Sequence, residues 1–134
     1  MVAIQVEYQG DLHCRAVHGP SGTGLNSDAP KDNQGRGESF SPTDLVATAL
    51  GTCMLTTMGI LARTLGIDMA GATATVEKEM TPPPRRIGRL TVRIHMPQAL
   101  SPEDQLKLER AAHTCPVQKS LHPDVETPVT FTWG

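Results

Sequence analysis

The feature that most constrains this chain is one long segment that should form a helix with apolar side chains on nearly all of its circumference. Ser41, Pro42 and Asp44 have the order typical of a helix start, with an N-cap serine, a proline at the first helical position and an acidic side chain that bonds back. The pattern predicts a helix that runs to about Leu65 and ends at Gly66. Such a helix must be buried on most sides. One small sheet covers only one side, so we expect a homodimer with this helix near its centre.

Alternation of apolar and polar residues predicts strands before and after the helix. These strands span residues 2–9, 12–17, 71–80, 87–96 and 129–133. The first strand should bury the face formed by its alternating apolar side chains, Val2, Ile4, Val6 and Tyr8. A short turn at Gly10 predicts that the first two strands form a hairpin. The segment 19–37 is rich in glycine and proline and predicts a loop with a short strand around Leu25.

Two further helices are predicted in the last third of the chain. The helix-start pattern recurs at Ser101, which predicts a helix to about His113, and a short turn of helix should follow Cys115. The order of elements is strands, long helix, strands, helices and strand. This order predicts an α+β fold with antiparallel sheets, in one domain over residues 1–134.

Composition and charge narrow the classes of partner. A chain of 134 residues buries enough surface to fold without disulfide or metal crosslinks. Twelve basic and fourteen acidic side chains give a net charge of -2, which disfavours a nucleic-acid partner. No signal peptide is recognisable near Met1, and no run reaches the roughly 18 apolar residues of a membrane span, so we expect no membrane partner. Three cysteines, an odd number, favour a cytoplasmic location, where thiols stay reduced.

The three cysteines are the candidate reactive groups. Cys53 lies in the apolar helix, where a cysteine is usually a packing residue and a thiolate would need a cation or hydrogen-bond donors from another segment. Cys115 precedes Pro116, so it should cap the short helix, whose amides would lower the pKa of its thiol; an ordinary cap residue is the competing interpretation. Cys14 lies on a predicted strand and should be a packing residue.

Metal and phosphate sites are not favoured by the spacing of the candidate ligands. The histidines and cysteines match no familiar zinc motif, so we expect no metal and no cofactor. The glycine-rich stretch 19–24 lacks the ending of a phosphate-binding loop and is interpreted as a turn.

Three segments together resemble a known family. They are Ser41-Pro42-Thr43-Asp44-Leu45, Ala49-Leu50-Gly51-Thr52-Cys53 and His113-Thr114-Cys115-Pro116-Val117. The sequence resembles the OsmC/Ohr family of osmotically induced and organic-hydroperoxide-resistance proteins over nearly its whole length. The resemblance implies an OsmC-like fold, with antiparallel sheets packed around a long buried central helix in an intertwined homodimer. It also implies an active site at the subunit interface.

The same resemblance implies the chemistry of that site. Cys53 would be the peroxidatic cysteine, which attacks an organic hydroperoxide, and Cys115 the resolving cysteine, which then forms a disulfide with it. A dithiol, typically on a lipoylated protein, would be the reductant, and no metal or flavin would be required.

One part of the Ohr-type pattern is missing. That branch places a glutamate where this chain has Thr43, and pairs it with an arginine near the N-terminal hairpin, where this chain has Gly10 and Asp11. Other charged side chains are candidates to support Cys53, although each is also an ordinary surface charge: Asp44, Glu38, Arg36 and Arg15.

The sequence therefore predicts a thiol-dependent peroxidase or redox protein that reduces organic hydroperoxides through Cys53 and Cys115. Two alternatives keep the same fold. One is a non-catalytic dimeric protein that binds a small molecule in an apolar interface pocket, and the other is a redox sensor that forms the disulfide without turnover.

Overall fold

The computed structural model describes all residues from 1 to 134, which form two compact units, Met1–Val46 and Ala47–Gly134. The prediction of one domain over residues 1–134 stays a prediction. The α+β class is confirmed, with two three-stranded sheets and three α-helices.

The first unit is an antiparallel sheet of three strands followed by a loop. The strands are β1 (Ile4–Gly10), β2 (His13–His18) and β3 (Gly24–Asp28), with β2 in the centre. The predicted hairpin between β1 and β2 is confirmed, and so is the short strand around Leu25. A single 3-10 turn, Lys31–Asn33, lies in the loop that follows.

The expectation that β1 buries its apolar face is wrong within one chain. Ile4, Val6 and Tyr8 are 60, 65 and 64% exposed, and every residue of β1 except Gly10 is exposed. The alternation of apolar and polar side chains is present, but nothing in this unit covers the apolar side of the strand.

The long helix α1 spans Pro42–Leu65, as predicted. At its start the Ser41 hydroxyl accepts a hydrogen bond from the Asp44 amide at 3.0 Å, and the Asp44 carboxylate accepts one from the Ser41 amide at 2.9 Å. This reciprocal pair is a capping box. At its end Gly66 has a φ of 72°, the left-handed conformation that glycine adopts most easily.

Burial of α1 on most of its sides is not observed within one chain. The buried residues recur every three or four positions and so form one face: Ala47, Leu50, Gly51, Met54, Met58 and Ala62. Ile60 points away from that face and is 65% exposed. The helix is therefore buried along one stripe, and its remaining apolar side chains are partly or fully uncovered.

By length and composition alone, α1 is apolar enough to cross a membrane, contrary to the expectation from the sequence. Its mean hydropathy is 1.8 over an 18-residue window. Core helices of soluble proteins also have this property, and the buried stripe of α1 contributes to the core of the second unit.

The second unit contains a three-stranded sheet with the order β4 (Thr73–Met80), β5 (Ile87–Met96) and β6 (Val129–Trp133). The alternating apolar side chains of β5 are fully buried, as the sequence predicts: Leu90, Val92, Ile94 and Met96. Gly51 brings α1 close to β4, because a Cβ atom at that position would lie only 2.9 Å from Val76 Cγ2. Glycine is thus required for this helix–strand approach.

The prediction that all sheets are antiparallel is wrong for β6. It pairs with β5 in parallel, with Val92 opposite Val129 and Met96 opposite Trp133. Two helices, α2 (Pro102–Ala112) and α3 (Pro116–Ser120), lie between these strands in sequence. Such a helical crossover returns the chain to the end of the sheet where β5 began, which makes the next strand parallel.

Candidate active site

The two cysteines that the sequence singled out lie on helices of the second unit. Cys53 is on α1 and is half-buried, whereas Cys115 is the N-cap of α3 and has no exposed surface. All three cysteines of the chain are free thiols. The fold thus presents one partly accessible thiol near the middle of α1 and one covered thiol at the start of α3.

The side chains of Cys53 and Cys115 are in contact. The Cys53 thiol is close enough to raise the pKa of Cys115 through a hydrogen bond between the two groups, although the residues are far apart in the sequence. The crossover from β5 through α2 to α3 brings Cys115 to α1, and no local pattern in either motif could specify this contact. Two thiols that approach one another in this way meet the first requirement for a disulfide, which is proximity.

The local structure around Cys115 depends on Gln118. Its amide donates a hydrogen bond to Cys115 Sγ at 3.4 Å, and its side-chain amide donates one to Thr127 Oγ1 at 3.0 Å, shortly before β6. Gln118 therefore connects the cap of α3 to the segment that leads into the sheet. No sequence pattern singled out Gln118, although an N-cap side chain commonly accepts a hydrogen bond from the amide three residues after it.

The amides of α3 lower the pKa of Cys115, as predicted, but larger effects outweigh them, so the net shift is upward and opposite to the expectation. Burial, and then the hydrogen bond that the Cys115 thiol makes to Cys53, raise the pKa above its ordinary value of 9.0, and the amides of Gln118 and Val117 offset only part of this rise. The helix has one turn and a correspondingly small dipole, while the sulfur is fully covered. Cys115 is therefore held as a neutral thiol at physiological pH.

This direction predicts how Cys115 responds to pH in the reduced protein. Alkylation by iodoacetamide should be slow at Cys115 through pH 9 and should increase only above it, because the thiolate is the nucleophile. In a Cys53→Ala variant the increase should move to lower pH, since the neighbouring thiol is one of the causes of the raised pKa. Peptide mass spectrometry over pH 7 to 10 measures both rates. Alkylation of Cys115 that is half complete well below pH 9 would contradict the assignment.

The charged residues proposed to support Cys53 belong to the first unit, whereas Cys53 and Cys115 belong to the second. Arg36 binds the Asp11 carboxylate at 3.0 Å and Glu38 at 3.4 Å. Arg15 donates a hydrogen bond to Asn26 Oδ1 at 3.2 Å. These contacts occupy each side chain within its own unit, and a role beside Cys53 stays a prediction for all three.

Asp44 and Cys14 also have local roles. Asp44 belongs to the capping box at the start of α1. Cys14 is half-buried on the central strand β2, paired with Tyr8 of β1 and Ser27 of β3. This placement agrees with its interpretation as a packing residue.

The fold and the site define an α+β protein in which a half-buried thiol on a long helix contacts a buried thiol at a helix cap. The family model described as OsmC-like protein matches residues 35–130. A comparison with curated proteins finds no significant match. The chain belongs to the OsmC-like family.

Solved structures agree with this assignment. A candidate osmotic stress induced and detoxification response protein from Psychrobacter arcticus is 48% identical, with a TM-score of 0.94 over 98% of this chain and 96% of that one. An OsmC-like protein from Mycoplasma pneumoniae is 16% identical, with a TM-score of 0.82 over 99% and 96%. An organic hydroperoxide resistance protein, OsmC, from Legionella pneumophila is 16% identical, with a TM-score of 0.77 over 98% and 96%. The predicted OsmC-like fold is confirmed.

Proposed function

We propose that this protein is a thiol-dependent peroxidase that reduces organic hydroperoxides, with Cys53 as the peroxidatic and Cys115 as the resolving cysteine. The observation that carries the proposal is the contact between the half-buried Cys53 thiol and the buried Cys115 thiol in a member of the OsmC-like family. The resemblance assigned these roles, and the exposures and the raised pKa of Cys115 support the same order. The more accessible Cys53 sulfur reacts with the peroxide, and the buried Cys115 sulfur reacts afterwards with the oxidised Cys53.

The reaction takes two steps before the enzyme needs a reductant. The Cys53 thiolate attacks the distal oxygen of ROOH, the O–O bond breaks, and the leaving alkoxide takes a proton to become an alcohol. Sulfur is oxidised by two electrons to a sulfenic acid. The Cys115 thiol then attacks this sulfur, water leaves, and a disulfide forms. A dithiol returns two electrons and two protons and restores both thiols.

The side chains around Cys53 on α1 favour an organic peroxide over hydrogen peroxide. Residues one turn away on the helix are its neighbours, and those near Cys53 are apolar or carry only hydroxyl groups: Ala49, Leu50, Thr56 and Thr57. The hydroxyl of Thr56 donates to the carbonyl of Thr52, and that of Thr57 to the carbonyl of Met54, so both methyl groups remain to contact an alkyl chain. Apolar surroundings of this kind suit a hydrophobic substrate.

The proposed reductant is a small dithiol, such as the dihydrolipoyl group of a lipoylated protein, acting in the cytoplasm. A two-sulfur reductant resolves its mixed disulfide with Cys53 or Cys115 internally, which suits a disulfide whose second cysteine is buried.

The exposed apolar side chains support a homodimer in which a second chain covers them. Ile4, Val6 and Tyr8 on β1 are each at least 60% exposed, and Ile60 on α1 is 65% exposed. Rows of exposed apolar side chains mark interaction surfaces. We predict that the wild type sediments as a dimer and that Val6→Lys shifts it toward the monomer, because the lysine charge would be desolvated in the interface.

Sedimentation velocity over a range of concentrations tests this prediction. Glu7→Lys is a matched control, since Glu7 lies on the other face of the same strand. A wild type that remains monomeric at tens of micromolar, or equal effects of the two lysines, would contradict it.

The direct test of the proposed function is to count thiols and turnovers. The reduced protein is treated with one equivalent of tert-butyl or cumene hydroperoxide, and free thiols are titrated after quenching. We expect two of the three thiols to disappear and to return on addition of dihydrolipoamide, with many cycles under excess peroxide. An unchanged thiol count would exclude the peroxidase.

The second candidate is a non-catalytic protein of the same fold, either a small-molecule-binding protein or a redox sensor, and the replacement of the Ohr-type glutamate by Thr43 favours it. A sensor would form the same Cys53–Cys115 disulfide once and would not turn over with dihydrolipoamide. Stopped-flow measurements distinguish the two, because a sensor shows a single oxidation event under excess peroxide and dithiol.

A further inference from the structure

Three potential metal ligands meet in the first unit, and none of them belongs to the cysteine motifs. Nε2 of His13 lies 3.6 Å from Oδ1 of Asp28 and 3.9 Å from Oε1 of Glu38, and the three ligand atoms all lie within 4.8 Å of one another. His13 begins β2, Asp28 ends β3 directly opposite it, and Glu38 follows the loop after β3. Because the ligands come from three separate segments, their spacing matches no short motif.

His13 is held with one nitrogen directed at the carboxylates. Its Nδ1 donates a hydrogen bond to the Asp11 carbonyl at 2.6 Å, which leaves the lone pair of Nε2 facing Asp28 and Glu38. Metal-binding histidines are commonly oriented in this way by a carbonyl on the second ring nitrogen. The ring is thus oriented before any ion binds.

Asp28 contributes a buried carboxylate oxygen that has no hydrogen-bond partner. Its Oδ2 accepts from the amides of Arg36 at 3.2 Å and Glu38 at 3.0 Å, while Oδ1 has none, although the residue is only 1% exposed. A buried carboxylate oxygen that accepts no hydrogen bond calls for a cation.

The separations favour a metal ion over a direct hydrogen bond. Gaps of 3.6 and 3.9 Å are longer than an N–H···O hydrogen bond. Ligand atoms about 2.0–2.1 Å from a tetrahedral zinc ion lie about 3.4 Å apart. The exposed Glu38 side chain can move the few tenths of an ångström required. One imidazole with two carboxylates suits a borderline ion such as Zn²⁺, whereas Ca²⁺ and Mg²⁺ prefer oxygen ligands alone.

We propose that His13, Asp28 and Glu38 form a binding site for a divalent transition metal of the Zn²⁺ class. This departs from the sequence-based expectation of no metal. Three ligands leave one tetrahedral position, and an open cavity of about 580 Å³ adjoins the site, with His13 and Glu38 in its wall beside Gln9, Asn26 and Ser39. Water or a small ligand from this cavity completes the coordination. The ion would tie β2, β3 and the following loop together.

Arg36 is the charged neighbour that opposes the ion. Its guanidinium lies 3.4 Å from Glu38 Oε1, but it also binds the Asp11 carboxylate at 3.0 Å and is largely exposed. Metal binding therefore competes with the Arg36–Glu38 pair. Removal of this guanidinium should strengthen metal binding, whereas a purely structural ion-pair network would only lose a contact.

The test measures Zn²⁺ affinity by competition with a chromophoric chelator. A Cys53→Ser, Cys115→Ser background removes the two thiols in contact, which could bind zinc themselves. We expect one Zn²⁺ per chain in this background, an affinity loss of about tenfold or more in His13→Gln and in Glu38→Gln, and a severalfold gain in Arg36→Gln. Ca²⁺ and Mg²⁺ should not compete at millimolar concentration.

His122→Gln is the matched control. His122 Nδ1 lies 3.7 Å from Asp124 Oδ2, which is a similar histidine–carboxylate separation in the second unit. This pair is not part of a three-ligand group like that of His13, Asp28 and Glu38. Its affinity should equal that of the background. The proposal is overturned if the background binds no zinc, or if His122→Gln weakens binding as much as His13→Gln. Glu38→Gln, which changes an exposed side chain, keeps the test decisive if His13→Gln does not fold.

Discussion

Replacement of Cys53 by serine is expected to abolish hydroperoxide consumption, with a loss of at least about a thousandfold in kcat/KM. A serine hydroxyl is not ionised at neutral pH and is a far poorer nucleophile toward peroxide oxygen than a thiolate. The assay is consumption of cumene hydroperoxide with dihydrolipoamide as reductant. The free-thiol count should no longer change when peroxide alone is added, since Cys115 is buried and protonated.

Cys115→Ser should have a different phenotype from Cys53→Ser. The first oxidation should proceed, and the sulfenic acid on Cys53 should persist because its resolving thiol is absent. Dimedone should therefore trap an adduct on Cys53 in this variant, and much less of it in the wild type. The two variants thus separate the attack on peroxide from the formation of the disulfide.

Cys14→Ser is the matched cysteine control and should retain wild-type turnover. Cys14 lies on β2 in the first unit and is paired with Tyr8 and Ser27 across the sheet. If Cys14→Ser were as inactive as Cys53→Ser, or if Cys53→Ser kept wild-type activity, the assignment of the two catalytic cysteines would be wrong.

Gly51→Ala is expected to destabilise the protein, although alanine is the better helix former. The added Cβ would lie 2.9 Å from Val76 Cγ2 and 3.7 Å from the Cβ of Ala74 on β4. Valine is branched at Cβ and has few ways to move aside, so the helix must shift from the strand. Overpacking costs about 1–3 kcal/mol, and the gain in helix propensity offsets about 1 kcal/mol. A net loss of up to about 2 kcal/mol should appear in urea denaturation.

Gly59→Ala on the same helix should have the opposite sign. The nearest atom to a Cβ at that position is Sδ of Met69 at 3.8 Å, an ordinary contact. Only the propensity remains, so the free energy of unfolding should increase by about 0.5–1 kcal/mol. Equal changes in the two variants would show that the approach of α1 to β4 does not constrain Gly51.

Most of the fold could be predicted from local patterns. The bounds of α1 follow from the capping box at Ser41 and Asp44 and from the glycine at 66. The strand pattern of residues 87–96 matches β5 because a strand with one buried face must alternate. The direction of β6 could not be read from its own residues, since parallel and antiparallel strands share this alternation. The direction follows from α2 and α3, because these helices form a crossover between β5 and β6 that makes the two strands parallel.

The candidate site was only partly predictable. The motifs around Cys53 and Cys115 carried the resemblance, but the direction in which the pKa of Cys115 shifts depends on burial, which no local pattern measures. The sequence indicated that Cys115 caps α3 but not that the sulfur is fully buried. Gln118 and Asp28 were missed because each acts through contacts with segments that are distant in the chain.

The sequence by itself determined where the helices and strands lie, which residues cap them, and that two of three cysteines lie in family motifs. The sequence also contains more apolar positions in its helix and strand patterns than one chain buries, as the exposed side chains of β1 and the uncovered sides of α1 show. Only the tertiary structure decided that the Cys53 and Cys115 thiols meet, that Cys115 is held protonated, and that His13, Asp28 and Glu38 converge. The physical reason is that secondary structure follows short-range periodicity and capping, whereas protonation and ligand geometry follow from which distant segments exclude water from one another.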